Sequence, residues 1–215
     1  MSSIIVRGSG SISAAPDMIR LELDMQSRST DCGQAMEKAE DSLAEIRGIL
    51  ESCGFEKDAL KTSGFDVRTE YESLPDEKGN YRSVFRGYCC AHQMNVEFPL
   101  DTVLLAEVLR RISASKAAPQ LSVQFTVKDT ESAKEELIRI TAADARKKAE
   151  LLCQASGVTL GRLIRISYDR AEKNMISQTR YGIGNDCLCY PAKAVSIDPA
   201  DVKLSDSAEF EWEII

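Results

Sequence analysis

Cys187 and Cys189, separated by one residue near the C-terminal end of the chain, are the pair best spaced to chelate a metal or exchange a disulfide. A Cys-x-Cys knuckle supplies two thiolates, whereas zinc asks for four ligands and usually for a second knuckle. Cys89, Cys90 or His92 would have to complete the set, and nothing in the sequence brings them there. The expectation is that Cys187 and Cys189 are free, partly buried thiols, with any sensitivity to oxidants set by their thiolate character. No metal and no cofactor is expected.

The other candidate chemistry is weaker still. His92 is the one histidine of the chain and sits in strand alternation between Ala91 and Gln93, which suits a structural or exposed residue better than a general base. Gly8 and Gly10 lack the third glycine of a dinucleotide fingerprint, and Pro16-Asp17 follows where a helix should open. They read as a bulge or a close approach of backbone. No Gly-x-Ser-x-Gly elbow, His-Glu-x-x-His pair or Walker loop occurs, so no catalytic residue is named and the chain is not expected to be an enzyme.

Composition narrows the partners. With 215 residues, 43% hydrophobic and 28% charged, the chain can bury a core without staples. A net charge of −7 opposes nucleic-acid binding, which is driven by Lys and Arg neutralising phosphates. The densest basic cluster, Arg146-Lys147-Lys148, lies beside Asp144 and Glu150 and reads as a solvated helical face. No apolar run approaches the roughly 18 residues of a membrane span. The N-terminus lacks a signal-peptide pattern, and seven cysteines at irregular spacing fit a reducing compartment. Both lead to an expectation of cytoplasmic location.

These residues need elements to position them. Ile4–Ile12 and Met18–Met25 read as two strands of a hairpin. Asp31 caps a helix to Ser52 that carries Ala35, Ala39, Leu43, Ile46 and Leu50 on one face, with Gly54 as the stop. A second hairpin follows over 60–71 and 81–98, then a helix from Asp101 to Ile112 carrying Val103, Leu104, Val108 and Leu109. Leu121–Val127 is a strand, and an Ala-rich helix from Ser132 to Ser156 shows Ala133, Leu137, Ile140, Ala145, Ala149 and Leu152 at three- to five-residue steps. That narrow small-residue face suits close packing on a sheet. Gly157 stops the helix and a strand returns through Ser167, a crossover that can set strands parallel. Residues 171–200 read as an irregular loop. In the last strand Phe210, Trp212 and Ile214 alternate with glutamates, one buried face against one acidic face. The fold class is α+β, a mixed and largely antiparallel sheet with helices packed on it, in the order ββαββαβαββ.

Six stretches in register resemble the SIMPL-domain, or YggE-like, family: Gly8-Ser-Gly10 with Pro16-Asp17; Lys61-Thr62-Ser-Gly64-Phe65; Gly87-Tyr88; Phe125-x-Val127-x-Asp129; Ala142-x2-Ala145-Arg146-Lys147-x-Ala149; and Gly157-Val-x-Leu160-Gly161. The resemblance covers nearly the whole chain. It implies one domain over 1–215, with two subdomains of about 1–98 and 99–215 sharing a sheet as a finer division. It implies no catalytic residues. Bacterial members of the family are typically exported, are linked to oxidative-stress tolerance or appear as envelope antigens, and some form ring- or channel-like oligomers. From the Ala-rich packing face, the acidic outer faces and the missing catalytic motifs, the expectation is a non-enzymatic homo-oligomer or protein-interaction module, to which the resemblance adds a link to oxidative-stress tolerance. The alternative is a small-molecule or metal-binding protein using the 171–198 loop.

Overall fold

A computed structural model describes residues 2–75, 81–169, 175–179, 181–183 and 198–215. The chain divides into two compact units interleaved along the sequence. Unit 1 comprises Met1–Asp17, Thr126–Gln178 and Pro199–Ile215, and unit 2 comprises Met18–Phe125 and Thr179–Asp198. Each has its own sheet. The division differs from halves meeting near residue 98 and sharing a sheet, because the long insertion after Asp17 supplies four strands of a separate five-stranded sheet.

Unit 1 contains β1 (Ser3–Ala14), α3 (Thr130–Ser156), β6 (Leu160–Ser167) and β8 (Val202–Ile214). Its sheet runs in the order β1-β8-β6, and β8 pairs antiparallel with both neighbours. The apolar face expected of the last strand is present: Phe210 and Trp212 are buried with Val6 and Ala208 against Ala145 and Ala149 of α3. Val202 and Leu204 extend that face into a second cluster with Leu137 and Met175. Asp129 caps α3 by accepting the Ser132 N–H at 3.0 Å. Gly157 ends it in the left-handed region at φ 71°, where an L side chain is strained.

Unit 2 contains β2 (Met18–Ser29), α1 (Cys32–Ser52), β3 (Lys61–Pro75), β4 (Tyr81–Pro99), α2 (Thr102–Ser113), β5 (Gln120–Thr126) and β7 (Tyr181–Ile183). The strand order is β3-β4-β2-β5-β7. Ile19, Leu21, Leu23 and Met25 of β2 and Met94, Val96 and Phe98 of β4 turn one face toward Ile46 and Leu50 of α1 and Leu105, Val108, Leu109 and Ile112 of α2. Each fully buried side chain of this size removes enough apolar surface from water to contribute about 1.5–3 kcal/mol. The Asp31 and Asp101 carboxylates cap α1 and α2 at 2.9–3.0 Å.

The α+β class holds, and the 60–98 hairpin is present with long arms. Four local expectations do not hold. β1 and β2 are no hairpin: β1 pairs with β8 and β2 with β4. At their junction the Asp17 N–H donates to the Thr126 carbonyl at 3.1 Å and the Asp17 carboxylate accepts from the Lys128 N–H at 2.7 Å, which ties the turn to the strand end before α3. The crossover through α3 joins no parallel neighbours, since β5 and β6 lie in different sheets. Within 171–200, β7 adds a short strand beside β5. On α2 the buried set is Leu105, Val108, Leu109 and Ile112, with Val103 exposed.

Candidate functional site

The long helix of unit 1 lies unusually close to its sheet, and two glycines make that possible. A Cβ on Gly8 would sit 2.3 Å from the Thr141 carbonyl oxygen and 2.7 Å from the Ala145 Cβ, and one on Gly10 would sit 2.6 Å from Thr141 Oγ1. Ala145 and Ala149 are fully buried under the strand. The Thr141 hydroxyl donates to the Leu137 carbonyl of its own helix at 2.8 Å, so it enters this contact already satisfied. Glycine on the strand and alanine or threonine on the helix bring backbone toward backbone at a distance larger residues forbid.

The close approach lets α3 reach around the outer edge of β1. The Ser9 N–H donates to Asp144 Oδ2 at 2.8 Å and the Ser9 hydroxyl lies 3.2 Å from the same oxygen. Lys148 Nζ donates to that carboxylate at 2.6 Å and to the Arg7 carbonyl at 3.4 Å. Arg7 and Ser9 are two residues apart on a strand that, among the described residues, pairs only with β8. Their N–H and C=O belong to the alternate set that points away from an antiparallel partner. The hydrogen bond from Lys148, followed by that from Ser9, holds the Asp144 carboxyl below the usual carboxylate range. The charged face expected of this helix is therefore a clasp over an otherwise open edge. The i,i+4 spacing of Asp144 and Lys148 was visible in the sequence, but their backbone target was not.

Among the described residues, the opposite edge of the same sheet has no such cover. β6 pairs with β8 alone, through a ladder with register shifts between Leu160 and Leu163 and between Leu163 and Arg165. Leu163, Ile164 and Ile166 are 46%, 48% and 53% exposed. Leu163 and Ile166 stand opposite Trp212 and Phe210 of β8, so they continue the apolar face that α3 covers further in. Natural sheets usually guard an edge with charge, proline, a bulge or a covering element. β6 has register shifts and carries Arg162 and Arg165, yet among the described residues its outer edge is unpaired and three branched aliphatic side chains along it are exposed.

The other family-motif residues hold local structure. Gly87 takes φ 143°, and a Cβ there would sit 2.3 Å from the Ser29 carbonyl oxygen. Tyr88 packs on Ala35, Ala39 and Cys90. Phe125 is fully buried in unit 2. Pro16 precedes the Asp17 junction. Leu160 is paired with Ile214, and a Cβ on Gly161 would lie 3.0 Å from the Glu213 carbonyl oxygen. The Thr62 hydroxyl lies 2.9 Å from His92 Nε2, and Gly64 adjoins Gln93. His92 is buried edge-on to Phe65, and burial lowers its pKa. Cys187 and Cys189 lie outside the described residues, as does most of the 171–198 loop. Among the described residues, no group of three His, Cys, Asp or Glu side chains could hold a metal ion, and no helix is long and apolar enough to cross a membrane.

Comparison with known proteins agrees with the motif residues. The family model SIMPL, protein of unknown function (DUF541), matches residues 4–212. The 26 kDa periplasmic immunogenic protein of Brucella abortus (strain S19) is 28% identical over 166 residues, which is 76% of this chain and 65% of that protein. The chain thus aligns with less than two thirds of that relative's length. The uncharacterized protein YggE of Edwardsiella ictaluri (strain 93-146) is 22% identical over 77% of this chain and 67% of its own. A crystal structure of an uncharacterized conserved protein from Listeria innocua covers 97% of this chain and 92% of its own at 14% identity, with a TM-score of 0.23, too low to support an argument. The expectation of a cytoplasmic location is overturned by the relatives named as periplasmic. Cysteine count misled because Cys89, Cys90 and Cys153 are buried, and a buried thiol can stay reduced where an exposed one would not.

Proposed function

The chain belongs to the SIMPL family, and from that membership we propose that it is a non-enzymatic, exported protein that acts by self-association, with the β6 edge as its pairing surface. The observation that carries the reading is the β6 edge, unpaired among the described residues, with Leu163, Ile164 and Ile166 exposed along it. An apolar edge of this kind is a template for another strand. A second copy of the chain is the occupant the charges favour. If two β6 strands meet antiparallel about Ile164, Arg162 faces Ile166 and Arg165 faces Leu163, so no like charges stand opposite one another.

The clasp on β1 shapes the kind of assembly. Were both edges of the sheet open, copies could pair head to tail and build rings or filaments. With Asp144 and Lys148 on the β1 edge, this sheet offers β6 alone, and the favoured contact is a two-fold pairing of β6 with β6. The exported location follows the names of the relatives. A link to oxidative-stress tolerance belongs to the same proposal and has its support in the family resemblance alone.

The test is molar mass by size exclusion with light scattering at micromolar concentration under reducing conditions. A discrete oligomer with an even number of chains supports the reading. A monomer of 23.7 kDa at all concentrations reached would overturn it.

A further inference from the structure

The sheet of unit 2 has a second face opposite the one packed on α1 and α2, and that face is polar in a patterned way. Glu22 and Asp24 project from the same side of β2 and stand opposite Asn95 and Gln93 of β4. On β3 the ladder shifts register between Thr62 and Gly64, which leaves Ser63 as the extra residue of a bulge. Bulges of this kind re-aim a side chain and recur beside functional sites. A Cβ on Gly64 would sit 2.9 Å from Gln93 Oε1, so this glycine gives the Gln93 carboxamide room to lie over β3. Glu22, Asp24, Ser63, Gln93, Gln120 and Ser122 line a cavity of about 380 Å³, within the size range of small-molecule sites.

The hydrogen-bonding inventory of this hollow is unbalanced. Its lining holds two carboxylates and no Lys, Arg or His. Asp24 Oδ1 is buried and has no hydrogen-bond partner, an arrangement that costs free energy unless something supplies a donor. Amides and hydroxyls can turn to donate or accept, whereas ionised carboxylates only accept. What the site lacks is a cation carrying several N–H donors. A metal ion fits poorly, because among the described residues no cluster of three His, Cys, Asp or Glu side chains is present.

We propose that this hollow on the second face of the unit 2 sheet binds a small organic cation through a primary ammonium group, with Asp24 and Glu22 as the counter-charges and Ser63, Gln93, Gln120 and Ser122 as the orienting polar groups. The proposal gives the Lys61–Phe65 motif a purpose beyond packing: the bulge presents Ser63 and the glycine seats Gln93. It is independent of pairing through β6.

The test is isothermal titration of the whole chain with 1,4-diaminobutane at neutral pH and low salt, repeated with Nα-acetyl-lysine amide and with calcium chloride. Saturable binding of the diamine at one per chain is expected, weakened about tenfold or more by Asp24→Asn and by Glu22→Gln and unchanged by Asp41→Asn on the exposed side of α1, a helix packed on the opposite face of the sheet. Tighter binding of the lysine amide, with the same dependence on Asp24, would keep the ammonium site and identify a lysine side chain as its source. Heat from calcium alone, no saturable binding of either amine, or binding indifferent to both substitutions would overturn the proposal. Ligand-free Asp24→Asn is expected to melt no lower than the parent, so misfolding would not explain a loss of binding.

Discussion

The Ser9 N–H donates to Asp144 Oδ2 at 2.8 Å across 135 positions of sequence, and this bond occupies a backbone donor that would otherwise point from an open sheet edge into solvent. It depends on two glycines: only with Gly8 and Gly10 on the strand can α3 come near enough for Asp144 and Lys148 to reach past β1. Among the described residues, no comparable clasp lies over the outer edge of β6. One edge closed and one open is the asymmetry from which the proposed assembly follows.

Replacing Gly8 with Ala should lower stability by about 2 kcal/mol, in the range of overpacked cores, because the new methyl meets a backbone oxygen and a buried alanine rather than a yielding side-chain tip. Gly48→Ala is the opposite case. It sits mid-helix in α1 with nothing within 4 Å of the added Cβ, and it should stabilise by about 0.5–1 kcal/mol. Urea denaturation of the two variants beside the parent checks both signs.

The clasp predicts a pH dependence. The folded-state pKa of Asp144 is depressed, first by the hydrogen bond from Lys148 and then by that from Ser9. Its contribution is therefore complete above the ordinary carboxylate value, about pH 4, and is lost as pH falls through the lower folded value. Asp144→Asn keeps an acceptor for Ser9 and removes the titration. The denaturation midpoints of parent and variant should converge as pH drops below about 4; a constant gap down to pH 2 would contradict the assignment.

Thiol chemistry separates the cysteines by burial. Burial pushes the thiols of Cys89 and Cys90 up, and Cys153 is buried against the sheet of unit 1. A maleimide pulse on the native protein, read by peptide mass spectrometry, should leave these three unlabelled until denaturant is added. Cys32 and Cys53, which are partly exposed, should label first. Early modification of Cys89 would contradict the buried environment described for it.

Much of the fold was legible because its signals are local. Aspartates at 31 and 101 mark helix starts by side-chain chemistry that needs no tertiary partner, and Phe210, Trp212 and Ile214 announce their face by alternation. The close approach at Gly8 and Gly10 was also readable, since glycine inside a strand has few other uses. Strand partners were not. Nothing near Pro16-Asp17 tells that β1 seeks a strand some 200 residues later while β2 joins another sheet, because pairing is decided by non-local burial. The clasp was hidden for the same reason: Asp144 and Lys148 look like an ordinary helical ion pair until β1 is placed beside them. The Lys61–Phe65 motif gave a family signal without its geometry, because a bulge shows only once the partner strand is in register.

The most direct test of the account is the solution mass of Ile164→Lys/Ile166→Lys beside the parent, by light scattering at matched concentration. Two lysines on the open edge place charge where strands would pair and repel their counterparts on a second copy. The account predicts an assembled parent, a monomeric double variant with unchanged circular dichroism, and a parent-like mass for Arg139→Ala, which lies on the exposed side of α3 and outside the clasp. A double variant that keeps the parent's oligomeric mass would contradict pairing through β6.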